Sequence, residues 1–351
     1  MPFTAQELSN ISNAALDFYI RGEVFQQSIQ EKPLLAAMMG KQKTFPGGKG
    51  NISIGVQGAY DTSAFAGYTH NDTVAYTNPA NIKRAVVPWK EVHNGITLTL
   101  TELKIDGISV VDSATSKNTT EHSDREETAL ADLLENKLFD MGEAWAIKFN
   151  DTLWRDGTQD SKLFAGIMYF VADDPTTGVV AGIDRSIAAN AWWRNRSAVG
   201  ASAITHSAAN QTLTKFLRKE VRQLRRYGGK PSLVLCGSAF LEDLEDEVQE
   251  KGTYTQTGFV NKGKNDIGMA VISMQGVGDF MYDPTLDDLG QSDRCYFLDM
   301  QNLRQYVMEG EDRKTHSPAR PYDQYTLYRG VTWTGAMCAK QLNGCGVYES
   351  I

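Results

Sequence analysis

The chain has little of what marks a catalyst or a metalloprotein. Its 351 residues include only five histidines and four cysteines. The histidines, His70, His93, His122, His206 and His316, are scattered. No HExxH or HxH pair places two imidazoles on one face for a metal. The cysteines, Cys236, Cys295, Cys338 and Cys345, form no CxxC pair and no zinc-ligand spacing, so they read as reduced, mostly buried thiols. Long apolar runs are missing as well. The longest, Leu34 to Met39, falls far short of the roughly 20 residues that cross a bilayer. Residues 1–20 lack a basic start and an apolar core, so no signal peptide and no membrane span are expected, and synthesis is expected in the cytoplasm. There is no internal repeat and no low-complexity tract.

What is present is a soluble globular composition, 41% hydrophobic and 22% charged, long enough for one large domain or two modest ones. The net charge of −8 argues against a protein that grips nucleic-acid phosphates, which requires a basic footprint. It suits a wall around nucleic acid, and equally an ordinary acidic enzyme.

The order of local patterns is more informative. Residues 4–39 are helix-prone, with Leu8, Ile11, Ala15, Phe18 and Tyr19 at helical spacing and a Thr4–Glu7 capping box. Phe45-Pro46-Gly47-Gly48-Lys49-Gly50 breaks the pattern. Residues 51–95 are rich in Gly, Ala, Thr, Asn and Tyr, and apolar bulk is scarce between Gly58 and Ala80. Such a piece cannot bury a core of its own, so it is predicted to be a long two-stranded excursion ordered by its neighbours. Ile96 to Thr101 alternates as a strand. A helix is predicted over 121–154, with Leu130, Leu133, Leu134, Leu138, Met141, Trp145 and Phe149 as its buried stripe and acids crowding its first turns. Some 30 residues make a rod of about 45 Å, long for an enzyme helix. Loops follow over 157–200, then an α-β-α stretch over 210–250, then short strands to the end.

No motif in these segments carries chemistry. Gly47-Gly48-Lys49-Gly50 lacks phosphate-loop spacing and reads as a turn, and no GxGxxG or GxSxG occurs. Asp173 to Asp184 has the span of a calcium loop with Gly178 at its turn, but Pro175 and Thr177 stand where ligands belong. Asp287-Asp288 reads as solvated, and Cys236-Gly237-Ser238 as a strand-to-helix turn that caps the next helix. No catalytic, cofactor or metal site is therefore expected. The least implausible polar cluster for a hydrolase is Asp184, Arg185 and His206.

The 210–227 helix sets Leu213, Phe216, Leu217, Val221, Leu224 and Tyr227 against a basic face of Lys215, Arg218, Lys219, Arg222, Arg225 and Arg226. The next helix, 238–250, carries Glu242, Asp243, Glu245, Asp246, Glu247 and Glu250. A solvated surface, contact with nucleic acid and contact with a neighbouring subunit are all open for the basic face. Opposite-sign faces on one subunit suit ring-like self-association.

The sequence of elements (helical arm, Gly/Ala/Thr-rich β excursion, strand, very long helix, mixed α/β region, closing strands) resembles the Hong Kong 97-like fold of tailed-bacteriophage major capsid proteins, and the resemblance spans nearly the whole chain. Asp151-Thr152-Leu153-Trp154-Arg155-Asp156-Gly157, Gly166-Ile167, Gly182-Ile183-Asp184-Arg185-Ser186 and Trp192-Trp193-Arg194-Asn195 are similar to the region after the spine helix in one capsid-protein group. Pro231 to Cys236 and Gly278-Asp279-Phe280 resemble the strand-helix and strand-turn of the axial domain. The resemblance implies an α+β chain divided into an N-terminal arm (1–50), an extended loop (51–95), a peripheral domain (96–204) with its spine helix at 121–154, an axial domain (205–305) and a return to the peripheral domain (306–351). It also implies a non-enzymatic subunit of the virion, assembled in the host cytoplasm into hexamers and pentamers of an icosahedral shell that encloses DNA without reading its sequence. The partners it implies are the chain itself, a separate scaffolding protein, a portal and a decoration protein. Subunit contacts would use Tyr60, Phe65, Tyr68 and Tyr76 of the loop, Lys215, Arg218, Arg222 and Arg225 of the basic helix, and Glu242 and Asp246 of the acidic one. No residue set is assignable to an isopeptide crosslink, although Lys83, Lys90 and many asparagines are present. A cellular nanocompartment shell of encapsulin type is the related alternative, and the hydrolase-like enzyme the unrelated one.

Overall fold

A computed structural model describes residues 30–58, 60–77, 82–99, 101, 124–250, 272–274, 277–316 and 326–351, with 124–135, 249, 250, 326 and 327 described by their backbone alone. The first half of the chain runs α1 (Pro33–Met39), β1 (Lys43–Phe45), β2 (Asn51–Gln57), β3 (Ile82–Pro88), β4 (Lys90–Thr99) and the long helix α2 (Asp124–Trp154). Then come α3 (Ile167–Phe170), β5 (Val179–Val180), β6 (Ile183–Asp184), a 3-10 turn over Ala188–Trp193, β7 (Arg196–Ala198), α4 (Thr212–Arg225), β8 (Leu233–Cys236) and α5 (Ser238–Glu250). The remainder is β9 (Ser273–Met274), β10 (Gly278–Tyr282), α6 (Pro284–Asp288), β11 (Arg294–Leu298), β12 (Leu303–Met308), β13 (Lys314–His316), β14 (Thr326–Ala339) and β15 (Gly346–Glu349). The described residues fall into two units, one of 92–148 with 310–333 and one of 31–91, 149–309 and 334–351. The predicted capping box at Thr4 and the first part of the 4–39 helix lie outside the described residues.

The larger unit is organised by a six-stranded mixed sheet in the order β7-β15-β11-β8-β10-β9. Val234 and Cys236 of β8, Cys295 and Phe297 of β11, Phe280 of β10 and Tyr348 of β15 share a core with Leu213, Leu217, Val221 and Leu224 of α4 and Phe240 and Leu244 of α5. The alternate residues Leu235, Tyr296 and Leu298 are also fully buried. On that side Trp154, at the end of α2, meets Tyr296 edge-on at 5.0 Å, and α1 packs against β8 and β12 with Leu34 and Met38 buried. A strand covered on both faces needs no polar alternation, which is why Leu233 to Cys236 reads as an unbroken apolar run.

The predicted excursion begins as a ribbon. β2 and β3 pair antiparallel from Asn51↔Pro88 to Gln57↔Ile82. One face is closed by Ile52, Val56, Ala85 and Val87, which are all buried. The strand expected at 96–101 starts earlier, at Lys90, and ends at Thr99. In the smaller unit β4 is tied to α2 by Asn94 Nδ2 donating to the carbonyl of Met141 at 3.1 Å, and β13 pairs with the Gly330–Thr332 stretch of β14.

The helix expected at 121–154 is present as 31 residues, but its buried stripe needs correcting. Met141 and Phe149 are buried and Trp145 is half-buried, whereas Leu138 is 44% exposed. The side chains of Leu130, Leu133 and Leu134 lie outside the described residues. Burial follows Lys137, Met141, Trp145, Phe149 and Leu153 in steps of four, a line that advances about 40° per step around the helix, and Leu138 lies about a quarter-turn off that line at its own level. Leu138→Asp should therefore change stability by less than about 1 kcal/mol, while Phe149→Asp should cost about 4 kcal/mol or more and abolish soluble expression. Soluble yield of both variants and the denaturant midpoint of Leu138→Asp check this, and a Leu138→Asp protein as insoluble as Phe149→Asp would restore Leu138 to the core.

Candidate functional site

The ribbon of β2 and β3 opens at its far end into residues 60–77, which form no strand and are exposed at almost every position. The hydrogen bonds that shape this segment are local. Ser63 N–H donates to Asp61 at 2.9 Å, and the N–H and hydroxyl of Thr69 both donate to Asp72 at 2.8 Å. These donors, led by the Ser63 side chain for Asp61 and by the Thr69 amide for Asp72, hold both carboxyls below their ordinary range. The aromatic side chains do not fold back. Phe65 and Tyr76 are 94% and 93% exposed, and Tyr60 and Tyr68 are nearly as open. Four large aromatics on a segment without a core form a surface suited to contact with another molecule.

The base of the ribbon is held firmly. Val86 N–H donates to the carbonyl of Ala181 at 2.8 Å, and Lys83 Nζ bonds Asn190 Oδ1. Asn190 in turn donates to the carbonyl of Asp184 at 2.6 Å, and Trp193 Nε1 donates to that of Val180 at 3.1 Å. Gly58, where the chain leaves β2, lies flat on the Trp192 indole, and a Cβ there would come within 1.9 Å of the ring. The Gly182–Asn195 segment thus serves the architecture, clamping the root of the exposed loop.

The charged helix faces are where periodicity puts them. Lys215, Arg218, Lys219, Arg222, Arg225 and Arg226 lie on or just beyond α4, and Glu242 and Asp246 lie on α5. All six of these basic residues are exposed. The side chains of the apolar stripe are buried, except that Phe216 is partly buried and Tyr227 is exposed. Glu247, expected on the acidic face, is fully buried and does something else. Its carboxylate accepts the N–H groups of Leu213 at 2.7 Å and Thr214 at 2.8 Å, and the Thr214 hydroxyl at 2.9 Å. It is the N-terminal cap of α4, supplied by α5 because Gln211, left-handed at φ 51, makes no side-chain cap. Glu220 on α4 is buried too, and its two carboxylate oxygens accept from Nε and Nη2 of Arg196.

Other expectations are corrected in the same way. Asp287 is not simply solvated. It accepts the Ser238 N–H at 3.0 Å at the start of α5 and the Tyr282 hydroxyl at 2.7 Å, which holds that phenol up at about 12. Gly237 serves close packing, since a Cβ there would approach the Ser292 carbonyl oxygen to 2.4 Å. The four cysteines are free and buried, as expected.

The residues weighed for catalysis have separate structural partners. Asp184 accepts the Ser186 hydroxyl and N–H, which lower its pKa. Arg185 is buried, bonds the Phe170 carbonyl and Asn195, and is pushed down to about 10 by burial, still protonated at neutral pH. His206 Nδ1 lies 3.8 Å from the capping carboxylate of Glu247. In the span compared with a calcium loop, Asp173 pairs with Arg294 at 3.0 Å and Asp174 closes a turn on Thr176. Among the described residues no cluster of three or more His, Cys, Asp or Glu could hold a metal, and no helix is long and apolar enough to cross a membrane.

No protein-family model and no curated protein matches the chain. Solved structures match it over nearly its full length. A capsid asymmetric unit of cyanophage A-1(L) is similar with a TM-score of 0.64 at 15% identity, covering 94% of this chain and 96% of that one. The chain has the Hong Kong 97-like capsid fold. The capsid of cyanophage P-SCSP1u aligns at TM-score 0.56 and 12% identity, over 95% of this chain and 92% of that one. A structure from Mycobacterium phage Bobi aligns at 0.53 and 12%, over 97% and 99%. The capsid fold therefore accounts for this chain from end to end rather than for one module within it.

Proposed function

We propose that the chain is the major capsid protein of a tailed phage, a structural subunit that assembles with copies of itself into the icosahedral head shell around the phage DNA. The observation that carries this reading is the outward-turned segment 60–77, with Phe65 and Tyr76 almost wholly exposed, on a chain whose fold is that of capsid subunits. Extended polypeptide adds interface area without a core of its own, and exposed aromatics are the residues that anchor such contacts. In this reading residues 51–95 are the extended loop, 96–204 and 306–351 the peripheral domain, 205–305 the axial domain that meets its copies at the symmetry axis of hexamers and pentamers, and 1–50 an N-terminal arm. A scaffolding protein, a portal and a decoration protein are the expected partners, and the finished protein resides in the virion. Encapsulin-type shells remain the related alternative, distinguished by flanking cargo-enzyme genes in place of terminase and portal genes.

The charged helices supply a test of self-association. The basic face of α4 (Lys215, Arg218, Arg222, Arg225) has its complement in Glu242 and Asp246 of α5 on a neighbouring copy. Arg222→Glu with Arg225→Glu should leave the subunit folded and slow assembly at least tenfold, and raised salt should slow the parent in the same way. Adding Glu242→Arg and Asp246→Arg to the reversed protein should restore assembly. Light-scattering kinetics unchanged by both the reversal and the salt would return the face to solvent.

A further inference from the structure

Cys236 and Cys295 stand directly opposite each other on β8 and β11, two inner strands of the six-stranded sheet. Gly237 N–H bonds the carbonyl of Arg294 in the adjoining pair, so the two cysteines occupy a non-hydrogen-bonded position of the antiparallel ladder. Side chains approach most closely at such positions, where Cα atoms are about 4.5 Å apart, within the span a disulfide bridges. The two sulfurs lie 3.0 Å apart in the core under α4 and α5. The other two thiols have different surroundings: Cys345 accepts the Asp299 N–H at 3.4 Å, and Cys338 sits on β14 opposite Arg304.

We propose that Cys236 and Cys295 are a disulfide site, a packed thiol pair under reducing conditions that closes under oxidising ones and staples β8 to β11. The oxidant is a low-molecular-weight disulfide. One cysteine thiolate attacks a sulfur of that molecule, forming a mixed disulfide and releasing one small thiolate. The second cysteine gives its proton to solvent and displaces the other small thiolate. One S–S bond forms in the protein and one breaks in the oxidant; two cysteine thiols are oxidised as the oxidant is reduced to two thiols. Because both sulfurs are buried between inner strands, exchange runs through opening of the sheet or during folding. Burial, and then the neighbouring Cys236 thiol, hold the Cys295 thiol well above its ordinary pKa, which slows the reaction further in the closed state. The physiological setting rests on the proposed function: a subunit made in reducing cytoplasm would carry the staple once its shell is outside the cell. The site itself does not depend on assembly, so its failure and the failure of that function are separable.

The test uses the full chain, opened briefly in mild urea with oxidised glutathione, refolded by dilution and alkylated after denaturation. Two of the four cysteines should resist alkylation, and a peptide linking Cys236 to Cys295 should appear on non-reducing digestion. The oxidised protein should melt about 5 °C or more above the reduced one, as expected for closing a long loop. Cys295→Ala should lose the linked peptide and the gain in melting temperature. Four alkylatable thiols in the treated parent, or a linkage to Cys338 or Cys345, would overturn the proposal whether or not the variant folds.

Discussion

Replacing residues 58–80 by a Gly-Ser turn should abolish closed shells while leaving thermal unfolding of the subunit within about 2 °C of the parent. The described part of the removed segment, residues 60–77, is exposed at almost every position, and the hydrogen bonds that shape it are formed among its own residues, so little burial within the subunit is lost there. The ribbon pairs from Asn51↔Pro88 to Gln57↔Ile82 remain, as does the clamp of Lys83 on Asn190. The glycine of the replacement falls at position 58, where any side chain would strike the Trp192 ring. What disappears is Tyr60, Phe65, Tyr68 and Tyr76, the aromatic surface proposed to anchor one subunit on the next. Sedimentation should then show free subunits or small capsomers. Closed particles of normal size would refute the role of the loop, and a collapse of subunit stability would show that the segment packs at home.

Glu247→Ala should destabilise the subunit by about 3–5 kcal/mol, a large part of the 5–15 kcal/mol that usually holds a domain together. The loss has two sources. The N–H groups of Leu213 and Thr214 would be left without acceptors, at roughly 1–3 kcal/mol each. The start of α4 would also lose the negative charge that faces its dipole. Glu247→Gln should fall between the variant and the parent, because one oxygen still accepts while an amide NH₂ meets a donor. Glu242→Gln, on the exposed face of the same helix, should stay within about 0.5 kcal/mol of the parent. Urea unfolding measures all three, and a Glu247→Ala midpoint close to that of the parent would remove the capping role.

The loop and the cap differ in how far they could be read from the sequence. The loop announced itself by what 58–80 lacks, and helix α4 by apolar residues at steps of three and four. Those are local signals, set within one or two turns of chain. Glu247 gave no such signal. It stands 34 positions from the amide it caps, in a run of acids that all look alike, and only the packing of α5 against the start of α4 separates it from Glu242. Asp287 capping α5, and Cys236 facing Cys295, are hidden for the same reason, since register between distant strands is not written in either strand alone. Leu138 failed differently. A helical stripe gives the period of burial, but its phase depends on which neighbours cover the helix, and those come from elsewhere in the chain.

Whether copies of this chain build a shell is tested most directly by electron micrographs of the purified protein, expressed with its flanking genes. Rings of five or six subunits, or closed and uniform shells, are the expected result, and a field of compact monomers would contradict the assignment.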